Sequence, residues 1–470
     1  MRATIPSNGQ SPTTLLAEMA SFRDEDIGWR EGRSWSLVYF AGDAHHELVE
    51  QAHNLFLPTN GLNPTAFKSL KRMEMEVVQM TADLLHGGDE AVGTMTSGGT
   101  ESILLAVKAA RDRARRHRPW VRRPNIVAPT TLHVAFDKAA HLFGLRVKRA
   151  RIDANGQADL KHMRRLIDRN TVLLAASAPQ YPHGSVDPIG AIGVMAEKRD
   201  IPFHVDACFG GFLLPWIEKL GRPIPVFDFR VPGVTSMSAD LHKYGYAAKG
   251  ASVVVYRSMD LLKHQFFVST DWPGGIYISP TMAGTRPGGP IAAAWAALNS
   301  LGEQGYLDLT RRACETADRL RLGIEGIEGL RLMGLPHSTI VTYTSDTLDI
   351  YAVADQLQNR GWGVDRQQDP ACIHCTVTAN NAEVVDRYLQ ELSDAVAQVR
   401  AHPELSGEGD AAIYGLMSKV PLRGLVKHSV LEVMEQMYSP EGGQPELSGG
   451  EQDGPLLRAV HKLNGLLRGL

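Results

Sequence analysis

Between residues 91 and 205 of the 470-residue chain, short apolar runs with strand character alternate with segments of helical periodicity. Residues 91–95, 125–129, 145–152, 171–178 and 201–205 read as strands, and helices are expected over 103–116, around 136–142 and over 191–199. Within 201–205 the apolar positions Ile201, Phe203 and Val205 alternate, and Pro179 closes the run before it. This alternation predicts an α/β fold, a mostly parallel sheet with helices on both faces. Ligands of such sheets sit beyond the carboxyl ends of the strands. After about residue 305 the pattern changes to longer helices (306–324, 349–360, 382–402) with strands near 339–344 and 373–378. That change predicts a smaller C-terminal α+β domain. The expected division is an N-terminal segment 1–60 beginning with a loose arm, a large domain 61–305, a small domain 306–438 and a mobile tail 439–470. Residues 456–467 within the tail carry apolar side chains at roughly helical spacing.

Composition narrows the class. Hydrophobic residues make up 43% of the chain and charged residues 21%, which excludes global disorder. Lys+Arg 49 against Asp+Glu 52 gives a net charge of -3, which excludes a strongly basic nucleic-acid binder at whole-chain level. No window approaches about 18 uninterrupted apolar residues, so no transmembrane segment is expected. The polar residues 1–12 carry no apolar signal core, and the default location is cytoplasmic. Cys208, Cys314, Cys372 and Cys375 are too few for a disulfide scaffold and are read as buried or reduced thiols. Cys372-Ile373-His374-Cys375 lacks a second cluster to complete a tetrahedral site, so no metal is expected. The basic run 111–123 reads as a solvated helix end, with attraction to anionic lipid as its alternative. His45-His46 reads as surface.

Three segments carry chemistry. Thr96-Ser97-Gly98-Gly99-Thr100-Glu101-Ser102 joins a strand to a helix. Its glycines allow close approach of an anion and the helix start offers unpaired N–H donors. A turn capped by Thr100 or Ser102 is the plainer reading. Asp206 ends a strand in His204-Val-Asp-Ala-Cys-Phe-Gly-Gly211 and points into the crevice, where it needs a cation or several donors unless it caps a helix. Lys243 lies in Ser238-Ala-Asp-Leu-His242-Lys243-Tyr-Gly-Tyr-Ala-Ala-Lys249-Gly-Ala, among small and aromatic residues with few neighbouring acids. A lysine held in such a site can form an imine. Together these are the parts of a pyridoxal 5'-phosphate site: a loop for the phosphate, a carboxylate for the pyridine nitrogen and an amine for the aldehyde. His133, after the strand 125–129, is placed to stack on the ring.

The long segments Phe227-Asp-Phe-Arg-Val-Pro-Gly-Val-Thr-Ser-Met-Ser-Ala-Asp-Leu-His-Lys-Tyr-Gly-Tyr246, Thr270-Asp-Trp-Pro-Gly-Gly-Ile-Tyr277 and Ser279-Pro-Thr-Met-Ala-Gly-Thr-Arg-Pro-Gly-Gly289 carry a resemblance, joined by Leu70-Lys-Arg-Met-Glu74 and Ala178-Pro-Gln-Tyr-Pro-His-Gly184. Over about residues 33–438 the chain resembles the fold-type I pyridoxal-phosphate enzymes of the group II decarboxylase superfamily, and among them the sphingosine-1-phosphate lyases. The resemblance implies a fold-type I transferase-like large domain and a homodimer whose active sites are shared across the interface. It implies retro-aldol cleavage of a phosphorylated sphingoid base, with Lys243 as the Schiff-base lysine, Asp206 on the ring nitrogen and His133 on the ring. It further implies that Gly99, Thr100 and His242 hold the cofactor phosphate, joined by Thr285 from the other subunit. Tyr181 is implied near the substrate hydroxyl. Tyr39, Lys249 and, again in trans, Tyr277 are implied at the head group, with Arg286 in support. Asn63, in Asn60-Gly-Leu-Asn63-Pro64, stands where the family usually has His at a substrate-phosphate contact. A pyridoxal-dependent amino-acid decarboxylase is the alternative; it would need a site for an α-carboxylate in place of a distal phosphate.

Overall fold

The computed structural model describes residues 4–407, 409, 411 and 423–440. Helices α1 (Pro12–Ser21), α2 (Asp43–Leu55) and α3 (Lys68–Leu84) precede a seven-stranded sheet. Its strands are β1 (Val92–Thr96), β2 (Asn125–Pro129), β3 (Arg146–Ala150), β4 (Thr171–Ser177), β5 (Phe203–Asp206), β6 (Ser236–Ala239) and β7 (Ser252–Tyr256). Helices α4 (Gly99–His117), α5 (Ala135–Phe143), α6 (Leu160–Leu166), α7 (Ile189–Glu197) and α8 (Leu214–Lys219) alternate with them. The sheet order is β1-β7-β6-β5-β4-β2-β3. β7 runs antiparallel to β1 and to β6, and the remaining pairs are parallel. Two reversals cancel, so β1 points the same way as β2 to β6. The carboxyl ends of all six therefore share one edge of the sheet. Helices cover both faces, which is why β4 and β5 are buried at every position.

The expected strands and helices are present, with ends shifted by a few residues. β6 escapes a reading by apolar pattern because two of its four residues are serines. Ser236 and Ser238 turn inward and bond to the buried His204.

After α9 (Met259–Leu262), a hairpin of β8 (Phe267–Ser269) and β9 (Tyr277–Ser279) leads to the long helix α10 (Gly288–Glu325). This helix breaks at Gly302, whose φ of 55° only glycine adopts without strain. β10 (Arg331–Met333), β11 (Ile340–Thr344), β12 (Asp365–Gln367) and β13 (Cys372–Thr376) form an antiparallel sheet in the order β10-β11-β13-β12, packed with α11 (Ile350–Gln358) and α12 (Val385–Ala401). Trp35 joins this second core, 4.6 Å from the Tyr388 ring and stacked on Trp362. Part of the N-terminal segment thus belongs to the small sheet, whose aromatic side chains Trp362 and Tyr388 form the wall that buries Trp35. The 456–467 run lies outside the described residues.

The four cysteines are buried and free. Cys372 and Cys375 are three apart on β13 and so face opposite sides of the sheet. Among the described residues no group of three or more His, Cys, Asp or Glu side chains is placed to hold a metal. The basic run begins roughly 18 Å from Gly99 at helical rise and continues past the end of α4. Lys108, Arg111 and Arg115 surround Asp112, and Arg113 reaches Asp200. His45, expected at the surface, is half-buried and bonds the Tyr246 carbonyl at 2.9 Å.

Candidate active site

A cavity of about 500 Å³ opens at the shared edge of strand ends, lined among others by Gly98, Gly99, Thr100, His133, Tyr181, Asp206, His242 and Lys243. These residues arrive from five different strand ends. The β1–α4 turn brings Gly99 and Thr100, and the loop after β2 brings His133. Tyr181 follows β4, Asp206 ends β5, and His242 and Lys243 lie between β6 and β7.

Neither Thr100 nor Ser102 caps α4. Gly98 is the N-cap, and Glu101 folds back to accept from the Ser97 backbone and hydroxyl, both at 2.7 Å. Ser102 is buried in a hydroxyl chain with Thr96 and Ser252. The start of α4 is therefore left for an external anion. Gly99 is required by space: a Cβ there would stand 2.6 Å from Cys208 Sγ and 2.8 Å from an Asp240 oxygen.

Asp206 does not cap a helix. Its Oδ1 accepts from Cys208 N at 3.1 Å and Ser238 Oγ at 3.3 Å, and α8 begins eight residues later, at Leu214. Lys243 Nζ lies 3.0 Å from Asp240 Oδ2, and His242 Nε2 lies 3.6 Å from the same oxygen. The expectation of few acids near Lys243 is corrected here: Asp240, three residues earlier, is 3% exposed and leaves Oδ1 without a hydrogen-bond partner among the described residues. Burial works to lower the Lys243 pKa, but Asp240 outweighs it and the ammonium is held well above its ordinary range. Burial lowers His242, whose Nδ1 accepts from the Ala251 amide. His133 Nδ1 accepts from Ala135 N at 3.1 Å, which fixes the ring at the foot of α5.

These features suit pyridoxal phosphate. An amine and two buried carboxylates, one with an unused oxygen, face a cavity whose rim offers free amides to a phosphate.

Tyr39 and Lys249 sit together beside this cavity. The Lys249 ammonium donates to the Leu37 carbonyl at 2.6 Å and the His242 carbonyl at 3.3 Å, and lies 5.2 Å from the centre of the Tyr39 ring. Burial and the nearby Lys243 lower its pKa to about 8. Tyr181 donates from its hydroxyl to Asp365 of β12.

The remaining four expected residues do not line the cavity of their own chain. Tyr277 stands on the β8–β9 hairpin against Phe267 and Trp272. Asn60 joins the others: it bonds the Thr285 hydroxyl and the Arg286 amide, two residues before its neighbour Leu62 leads to Asn63. The Arg286 guanidinium is used internally, 2.5 Å from buried Glu74 and 3.0 Å from the Gly61 carbonyl. Its influence on any head-group site passes through its hold on residues 60–63. Asn63 Oδ1 accepts from Thr65 N, Thr65 Oγ1 and Ala66 N. Sequence reasoning missed Asp240 and Asp365. The i,i+3 spacing of Asp240 and Lys243 around one turn was the available signal for the first; no local signal marked the second.

The conserved domain of pyridoxal-dependent decarboxylases matches residues 39–344. The chain is 42% identical over 443 residues to a sphingosine-1-phosphate lyase of Oryza sativa subsp. japonica, covering 93% of this chain and 82% of that protein. The solved structure of a Burkholderia pseudomallei sphingosine-1-phosphate lyase superposes with a TM-score of 0.85 at 40% identity, over 93% of this chain and 97% of that one. A Lactobacillus brevis glutamate decarboxylase gives a TM-score of 0.74 at 20% identity over 84% of this chain and 95% of that one, a likeness of fold alone.

Proposed function

The chain belongs to the sphingosine-1-phosphate lyase family, and from that premise we propose how its residues share the work of cleavage. The enzyme is a pyridoxal-phosphate-dependent lyase that breaks the C2–C3 bond of sphingosine 1-phosphate, or a related phosphorylated long-chain base, giving a long-chain aldehyde and phosphoethanolamine. When bound, the cofactor supplies an electron sink for the pair released from that bond. Lys243 would hold the cofactor through its aldehyde, and Asp206 would keep the ring nitrogen protonated. Gly99, Thr100 and His242 hold the phosphate, and His133 covers the ring. Asp240 holds the Lys243 ammonium and orients its amine toward the cavity. Tyr181 contacts the substrate hydroxyl, and Lys249 with Tyr39 takes the substrate phosphate, a dianion suited to a point charge. A decarboxylase shares the fold but little of the sequence.

A homodimer completes this assignment. Phe267, Val268, Trp272, Ile276 and Ile278 of the β8–β9 region are exposed, a concentration of large apolar side chains that solvent does not favour. The same hairpin carries Tyr277, and Thr285 follows it, so covering this face with a second copy offers both residues to the other cavity. Mixing Lys243→Ala subunits, which have no activity, with Tyr277→Phe subunits, which have a reduced one, should give more activity per intact Lys243 than the Tyr277→Phe homodimer. A cytoplasmic location suits the four free thiols. Among the described residues no helix is long and apolar enough to cross a membrane.

The observation that carries the function is the convergence of Lys243, Asp206, His133, Tyr181 and the Gly99–Thr100 turn on one cavity. Incubation with pyridoxal phosphate and sphingosine 1-phosphate should release long-chain aldehyde. Release of carbon dioxide from an amino acid, with no aldehyde, would favour the decarboxylase.

A further inference from the structure

Tyr181 is gripped from outside the large sheet. Its hydroxyl donates to Asp365 Oδ2 at 3.0 Å, a contact between residues 184 apart. Asp365 begins β12, the edge strand of the small sheet, and its other oxygen accepts from Ser36 Oγ at 3.1 Å. Across the β12–β13 pair Asp365 is in register with His374. The His374 ring lies 4.3 Å from the Tyr181 ring, centre to centre, and its Nδ1 is 3.9 Å from Asp365 Oδ2. His374 is fully buried, with the backbone of Tyr181 and its own backbone as polar neighbours that favour its charged form. Arg366 turns instead to Asp355, 2.5 Å away. The other titratable or charged groups around the pair are Lys243 and Tyr39 on the cavity side, His183 behind His374, Cys375 on β13, and Arg366, whose charge works to lower the Asp365 pKa.

This arrangement restricts what Tyr181 can do. Burial, reinforced by the Asp365 charge and hydrogen bond, holds the phenol far above its ordinary pKa. A phenol so placed does not accept a proton by first losing its own to solvent. It can accept one only while handing its own to a neighbour. Asp365 is that neighbour. Burial raises its carboxyl, against the Tyr181 and Ser36 hydrogen bonds, which makes it a better proton acceptor than an ordinary carboxylate.

We propose that Asp365 is a positioning residue for the proposed cleavage and the end of its proton path. As the substrate C3 hydroxyl gives its proton to Tyr181 Oη, the Tyr181 proton passes to Asp365 Oδ2. The C3–O bond becomes a carbonyl, the C2–C3 bond breaks, and its electron pair stays with the C2 fragment. The proton gained by Asp365 balances the one C2 takes up before phosphoethanolamine leaves. The small domain thereby holds the terminal acceptor for chemistry initiated on the large sheet.

This relay rests on the lyase reading, and two measurements on the holoenzyme separate them. First, 3-fluorotyrosine placed at position 181 reports its own ionisation by fluorine NMR. Asp365→Asn should lower that midpoint by about one pH unit or more, because a repelling charge and an acceptor are removed. An unmoved midpoint overturns the relay, whether or not any substrate is cleaved. Second, Asp365→Asn should lower kcat about 100-fold while leaving KM and the cofactor absorbance nearly unchanged. The wild-type kcat should fall as pH drops through the raised Asp365 pKa; the variant should lack that limb, and Asp365→Glu should restore part of the rate. Wild-type kcat with Asp365→Asn, or an acid limb that persists in it, overturns the relay while the lyase reading stands. A wild type that releases no aldehyde overturns the lyase reading.

Discussion

The two halves of the proposed site, one for cofactor and one for substrate, are built differently. The cofactor half hangs on one rigid object: Asp206 ends a strand, and Lys243, His242, His133 and Gly99 sit in turns directly after strands of a single sheet. The substrate half is assembled from pieces that meet only after folding. Lys249 bonds the Leu37 carbonyl, 212 residues away, and Tyr181 bonds Asp365, 184 residues away. Tyr277 and Thr285 are not among the residues lining this cavity in their own chain. The contrast implies that damage to the first half abolishes chemistry, whereas damage to the second adjusts rate, affinity and pH dependence.

Lys243→Ala is the severest test. Turnover should fall by about 10⁴-fold or more, because no other group supplies the imine-forming amine. The visible absorbance of the bound cofactor should vanish, and the circular dichroism spectrum should persist. Asp206→Asn should follow, with kcat lower by about 10³-fold, since a neutral amide cannot hold the ring nitrogen charged. Its shape and hydrogen-bond acceptor are kept, so the melting temperature should change little. A mild effect in either variant would erase the division between the halves.

The same division explains what the sequence made legible. β–α alternation gave the sheet and its active edge because a parallel strand buried on both faces must be apolar. Asp206 stood out as a carboxylate ending such a run, and Lys243 as a lysine among small and aromatic residues. Asp240 lay in plain view but passed unnoticed, since a carboxylate near a lysine usually marks solvated surface. β6 was hidden because its serines serve a buried histidine. Asp365 was beyond reach: its importance lies in a tyrosine on another sheet, and pairings of that range leave no local periodicity. Trp35 was hidden likewise, its core made by residues more than 300 positions later.

Lys249 gives a smaller effect with a defined pH signature. Its lowered pKa, about 8, means the ammonium is charged below that pH and neutral above it. Attraction for a phosphate dianion is therefore present at neutral pH and lost as pH rises through about 8. KM should climb across that range with kcat nearly constant. Lys249→Arg, whose guanidinium stays charged, should flatten the climb, and Lys249→Met should raise KM by about tenfold or more at neutral pH. A KM that ignores pH in the wild type would remove Lys249 from the head-group site.

The smallest effect belongs to Asn63. Its Oδ1 collects three donors from Thr65 and Ala66, so the side chain is committed to its own turn and only the amide N–H groups are left to meet a phosphate. A histidine here would offer a charged donor below about pH 6.5. Against this, it would weaken the turn by roughly 1 kcal/mol where an Asn oxygen is lost. Asn63→His should therefore lower KM a few-fold at pH 6, give no gain at pH 8, and lower the melting temperature slightly. Because Asn60 and Gly61 are tied to Thr285 and Arg286 rather than to the cavity of the same chain, the proposed dimer predicts that any gain is made in the partner's site. The gain should appear in mixed dimers only when the histidine is on the subunit opposite the intact Lys243. A gain confined to the histidine-bearing subunit's own lysine would show that the substrate half is built in cis and would erase its main difference from the cofactor half.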